Sequence, residues 1–172
     1  MTRTKLATGE PAPHFTLQAI GSQRVVSPPS GGAAALMLVF HGQNAVAAVQ
    51  TMQEAVRMRY PNPAQLLVAS VVNMSVVPAV LRSTAEAVMA AQYTRAAAAM
   101  PDGLDAADFI VILVDWDGKV SRAYGVPRMS TTPLIVLIDG QGTVCAIHRG
   151  NALENASLAM LDALFTADVN AV

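Results

Sequence analysis

The chain reads as an α/β protein of three layers, with a mixed sheet whose parallel core is extended by an antiparallel C-terminal hairpin. Three observations predict this. Apolar runs of strand length, Leu36–Phe40, Gln65–Val72, Phe109–Asp115 and Leu134–Ile138, alternate with stretches of helical periodicity, which implies parallel strands covered by helices on both faces. Asp139-Gly140-Gln141-Gly142 is a hairpin signal, so Thr143 to His148 should return antiparallel. Hydrophobic residues are 53% of the 172 and charged ones only 13%, a composition that packs a sizeable core. No internal repeat, low-complexity linker or second domain is visible, so residues 1–172 read as one domain with a loop-rich extension over 1–35.

Each element has a local reason. Pro and Gly in Gly9–Pro13 and Ser27–Gly32 predict loops. Phe15–Leu17 and Val25-Val26 suit a short edge hairpin. Leu36–Phe40 is a strand buried on both faces, and His41-Gly42-Gln43-Asn44 ends it. A helix is expected from about Ala45 to Tyr60, with Val49, Met52 and Val56 on its inner side and Pro61-Asn62-Pro63 as its stop. After the second strand, Ser75 is a candidate cap for an Ala-rich helix over about 77–99, with Pro78 in its first turn and Leu81, Ala85, Val88, Ala96 and Met100 facing inward. The third strand, Phe109–Asp115, turns at Asp117-Gly118 into a short helix, Ser121–Tyr124. Asn151 and Glu154 have the spacing of a capping box for the last helix, whose apolar face is Leu158, Leu161 and Phe165.

Composition lowers several function classes. The net charge is −1, no Lys/Arg run exists and aromatics are 5%, which argues against nucleic-acid binding. No apolar run has the length of a membrane span, and the N-terminus lacks the apolar stretch of a signal peptide. The expected compartment is the cytoplasm. One cysteine, Cys145, precludes an intrachain disulfide or a Cys-rich metal site. His14, His41 and His148 are scattered, and Val126 stands where a calcium loop opening at Asp115 needs its twelfth ligand. No metal and no cofactor is expected, since phosphate-loop, dinucleotide and nucleophile-elbow patterns are all missing.

Four stretches occur in a recognisable order: Gly9-Glu10-Pro11-Ala12-Pro13-His14-Phe15-Thr16-Leu17; Leu38-Val39-Phe40; Asp115-Trp116-Asp117-Gly118 followed by Tyr124-Gly125-Val126; and Pro133 through Asp139 to Gly142. Together they resemble the thioredoxin-like fold, and within it the redoxin (AhpC/TSA) branch of peroxiredoxins and thiol–disulfide oxidoreductases. The resemblance implies a redox-active cysteine pair at the start of the first long helix. It also implies that Pro133 is the cis proline beside that site, and that the backbone at Thr132 holds extended peptides by strand-like pairing. Two departures stand out. The connection from Val126 to the proline, Pro127 to Thr132, is longer than the family pattern, and the cysteine positions fall on Ala45 and Ala48.

Alanine offers no nucleophile, so the usual thiol–disulfide mechanism has no residue to run on there. Three readings stay open. The first is a redox-inactive binding, chaperone-like or regulatory module for a peptide or protein partner, using the groove beside Thr132-Pro133. The second is a thiol-dependent oxidoreductase working through Cys145, which otherwise reads as a small buried apolar residue. The third is a small polar site at a helix start built by His41, Gln43 and Asn44, where Asn44 otherwise reads as an N-cap and His41 as a solvated loop residue. Met52 and Met58, if exposed, would make an adaptable surface near that turn. The Ala-rich helix would serve close packing or a homodimer face.

Overall fold

The structure, a computed structural model, describes residues 6–28 and 32–170. The middle of the predicted loop Ser27–Gly32 lies outside the described residues. Strand β3 (Ala35–Phe40) is the centre of the fold, and every residue in it is buried. Strand β4 (Leu66–Asn73) pairs with it in parallel, β5 (Val111–Asp115) pairs in parallel with β4, and β6 (Leu134–Asp139) pairs antiparallel on the other side. Strand β7 (Val144–Arg149) completes the order β5-β4-β3-β6-β7. The expected parallel core with an antiparallel C-terminal hairpin is observed. The predicted N-terminal hairpin forms a separate two-stranded sheet, β1 (Leu17–Gln18) with β2 (Val25–Val26).

Alternation along β3 divides the core. Ala35, Met37 and Val39 join α1 (Val46–Arg59) and α5 (Leu153–Val169) through Val49, Met52, Val56 and Leu161. Leu36, Leu38 and Phe40 join Phe15, Val26, Val120 and Tyr124 on the other face. The N-terminal extension, β1, β2 and the short helix α4 (Lys119–Ala123) therefore form the third layer. Phe15 and Tyr124 meet edge to face at 6.0 Å, and the Tyr124 hydroxyl donates to the Pro13 carbonyl at 2.9 Å. Two of the sequence stretches noted above are thus in direct contact. Asp115, buried at the end of β5, accepts the Ser121 N–H and hydroxyl, each at 2.7 Å, and so fixes α4.

Several boundary readings are corrected. Phe109 ends a short helix, α3 (Ala106–Phe109), capped by Asp105, and does not open β5. Ser75 caps nothing: its N–H donates to Asn73 Oδ1 and its hydroxyl is buried without a partner. Pro78 instead precedes a 3-10 turn, Ala79–Leu81, and α2 runs over Arg82–Ala98. Met89 is the buried residue of α2, while Leu81, in the turn, and Val88 are exposed. An Ala-rich helix has no wide apolar stripe, and its register is weakly specified by the sequence. Helix α2 stands instead at the β5 edge, where the Tyr93 ring sits over Gly21, at φ 79°, so closely that a Cβ there would come within 2.2 Å of it.

The capping box at Asn151 is also absent. Gly150 (φ 121°) and Ala152 (φ 59°) turn the chain, Ala152 takes the cap position without a side-chain bond, and the Asn151 carbonyl faces His148 Nε2 at 2.7 Å. Met52 is fully buried, whereas Met58 is exposed. Met58 lies in the last turn of α1, far from the turn at its start, so the expected methionine surface does not form.

Removing the Tyr124 hydroxyl isolates the contribution of its bond to the extension. Tyr124→Phe should lower stability by about 1 kcal/mol and Tyr124→Ala by about 3–5 kcal/mol. The check is a shift in the urea midpoint at unchanged denaturant slope.

Candidate functional site

The carboxyl ends of β3, β4 and β5 lie at one end of the sheet, where open α/β sheets place their ligands. The register Phe40↔Leu134 sets His41 beside Pro133. Between them the chain leaves β3 through Gly42 into a 3-10 turn, Gln43–Ala45, that feeds α1. Asn44 does not cap α1: its Nδ2 donates to the Thr131 carbonyl at 3.0 Å and ties the turn to the loop before β6. The structure thus brings His41, Gln43, Asn44, Thr132 and Pro133 to one place. Gln43, Asn44 and Thr132 are exposed and Pro133 is buried.

Ala45 occupies the cap position of α1 and is buried against the α1 side of the core, while Ala48 is exposed on the first turn. Neither side chain can attack, ligate or titrate. No side chain caps α1 and its first turn holds no acid, so its positive end faces the turn without a built-in anion. His41 is half-buried, and that burial holds its pKa below the usual histidine value, outweighing the bond to Gly42. Nδ1–H donates to the Gly42 carbonyl at 3.1 Å, and whenever the ring is neutral this leaves Nε2 as an acceptor.

Thr132 carries a feature that sequence reasoning missed. Its N–H donates to Ser130 Oγ at 3.3 Å, and its carbonyl accepts from the same hydroxyl at 3.2 Å. With Asn44 on the Thr131 carbonyl, the strand-pairing groups of this loop are satisfied within the chain. Serine two residues before an exposed backbone position is a known signal for such a local bond. The longer Pro127–Thr132 connection is held by a second contact, from Arg128 Nη2 to the Ser75 carbonyl at 2.8 Å.

Cys145 is not part of this site. The β6–β7 register steps from Leu137↔Ala146 to Ile138↔Val144, so Cys145 is the extra residue of a bulge. Four to five strand residues separate that level from Pro133, roughly 15 Å at ~3.3 Å per residue. The thiol is half-buried beside Ala159, Met160 and Leu164, and burial, aided by the Asp139 carboxylate, pushes its pKa up. A raised pKa leaves less thiolate at neutral pH. Among the described residues no three His, Cys, Asp or Glu side chains gather as a metal site, and no helix is long and apolar enough to cross a membrane.

A cleft of about 300 Å³ opens elsewhere, between α1 and the end of α2, lined by Gln53, Arg57, Met100 and Ile110. It lies away from His41 and Pro133.

No family model matches the sequence, and no curated protein does. Solved structures do. A thiol:disulfide interchange protein, DsbE, from Chlorobium tepidum superposes with a TM-score of 0.62 at 20% identity, over 92% of this chain and 98% of its own. The pneumococcal exposed lipoprotein thioredoxin of Streptococcus pneumoniae gives 0.58 at 22% identity, over 87% and 98%. The mitochondrial 2-cys peroxiredoxin of Plasmodium falciparum gives 0.58 at 15% identity, over 96% and 98%. Solved structures of thiol–disulfide oxidoreductases and peroxidases thus superpose over nearly its whole length, and the chain has the thioredoxin-like fold.

Proposed function

We propose that this protein is a redox-inactive thioredoxin-like module that binds an extended segment of a peptide or protein partner at the end of the sheet formed by His41–Asn44 and Thr131–Pro133. The observation that carries the reading is the exposed Thr132 next to buried Pro133, held against the turn by Asn44. A backbone edge presented in this way suits strand addition. The chemistry of the structural neighbours has no residue to use here, because Ala45 and Ala48 replace the expected thiols. The partner strand competes with the Ser130 hydroxyl for Thr132, at a cost of about 1 kcal/mol.

The second reading is a thiol-dependent oxidoreductase acting through Cys145, favoured by the activities named for the neighbouring structures. Its thiol is half-buried with a raised pKa, on a bulge remote from the helix start. Both features slow thiolate attack.

Two experiments separate the readings. Cys145 should resist a thiol reagent in the native protein and react on unfolding, and the protein should show no disulfide or peroxide turnover. Turnover that disappears in Cys145→Ser would establish the second reading and remove the first. On an array of extended peptides, binding should persist in Cys145→Ser and be lost in Thr132→Pro and Asn44→Ala. Ser130→Ala should bind about fivefold more tightly by freeing Thr132. Ala45 is too buried to serve as a blocking position, since a large side chain there would overpack the core.

A further inference from the structure

The surroundings of this end of the sheet point to a particular kind of partner. Arg128 reaches across to the Ser75 carbonyl, which joins the loop Pro127–Thr132 to the segment after β4. The joined segments expose large apolar side chains: Met129 is 78% exposed, Val80 83% and Leu81 49%, and Val76, next to Ser75, is 48% exposed. Val25, Met58, Leu104 and Val169 are exposed singly elsewhere, which is ordinary, whereas Val76, Val80, Leu81 and Met129 lie on two joined segments, and such a group marks an interaction surface.

Charge at the same end includes more arginine than acid outside ion pairs. Arg82 lies over the Trp116 ring, 5.6 Å from its centroid. Arg149, on the residue paired with Leu134, donates to the Tyr124 and Gly125 carbonyls. Arg122 is exposed on α4. Among the described residues Arg82, Arg122, Arg128 and Arg149 form no ion pair. The acids at this end are otherwise placed: Asp115 is buried on Ser121 and Asp117 pairs with Lys119 at 2.8 Å, leaving Glu86 and Glu154 exposed. Elsewhere Asp108 pairs with Arg24 and Asp162 with Arg59, and Asp139 closes the β6–β7 hairpin. Near the groove, Arg128 and Arg149 are bonded to backbone carbonyls and Arg82 lies over Trp116, none of them facing a carboxylate among the described residues.

We propose that the partner segment is acidic and apolar: bulky apolar side chains seat on Met129, Val76, Val80 and Leu81, and flanking carboxylates meet Arg128, Arg149 and Arg82. The assignment rests on the peptide-binding reading above and specifies its partner. Bidentate carboxylate recognition is the usual use of unpaired arginine. Rim charges of this kind act chiefly on encounter rate and on discrimination between partners.

The test uses short fluorescein-labelled peptides of equal length and leucine content, whose remaining positions are glutamate, lysine or serine. Anisotropy should show the glutamate peptide binding at least about tenfold more tightly than the lysine peptide, with affinity falling as salt is raised. Arg128→Glu should remove that preference, while Val80→Asp should weaken all three peptides. Equal binding of the three, unchanged by Arg128→Glu, overturns the acidic assignment and leaves peptide binding standing. Binding of none of them overturns both. Circular dichroism of each variant separates lost binding from lost folding.

Discussion

Strand β3 is the constraint on which the rest depends. Its six residues are buried on both faces, so neither face tolerates a polar residue or a slip of register. A one-residue shift would send Met37 and Val39 toward Tyr124 and the extension, and Leu36 and Leu38 toward α1 and α5. The two faces differ in what they meet: two long helices on one side, an aromatic cluster and the N-terminal segment on the other. Because β3 pairs with both β4 and β6, its position also fixes where His41 and Pro133 emerge. The candidate site is a direct consequence of that burial.

The site keeps the scaffold of its structural neighbours without a thiol at the helix start. The turn stays closed through Asn44 on Thr131 and the loop through Ser130 on Thr132, bonds that need no redox chemistry. His41 is half-buried, no side chain caps α1, and Ala45 and Ala48 stand at the helix start. Cys145, lodged in a bulge at the other end of β6 and β7, serves the packing of α5 on the sheet edge.

Much of the fold was legible because its signals are strong and local. The run Leu36–Phe40, the Asp-Gly turn and the spacing of Val49, Met52 and Val56 each admit one structural answer, and the hairpin closes with Asp139 Oδ1 accepting from Gln141 and Thr143. The readings that failed were caps and helix faces. Ser75, Asn151 and Asn44 are residues that cap helices well in isolation, yet each found a different partner or position. A cap is worth only about 1 kcal/mol, so tertiary contacts readily redirect such side chains. The face of α2 was obscure for a related reason, since alanines on every side leave the helix without a preferred inner surface.

The sequence by itself determined the parallel core with its antiparallel hairpin, the burial of β3 and the alanines at positions 45 and 48, because hydrophobic periodicity and residue identity are properties of the chain alone. Only the tertiary structure decided that Ser130 occupies Thr132, that Cys145 stands at a bulge, and that Arg128 joins the loop before Pro133 to the segment after β4. The Arg128 contact joins residues far apart in the chain and the bulge depends on where a strand pairing slips, which no local pattern encodes, whereas the Ser130 bond is a local one that shows only once Thr132 is known to be exposed.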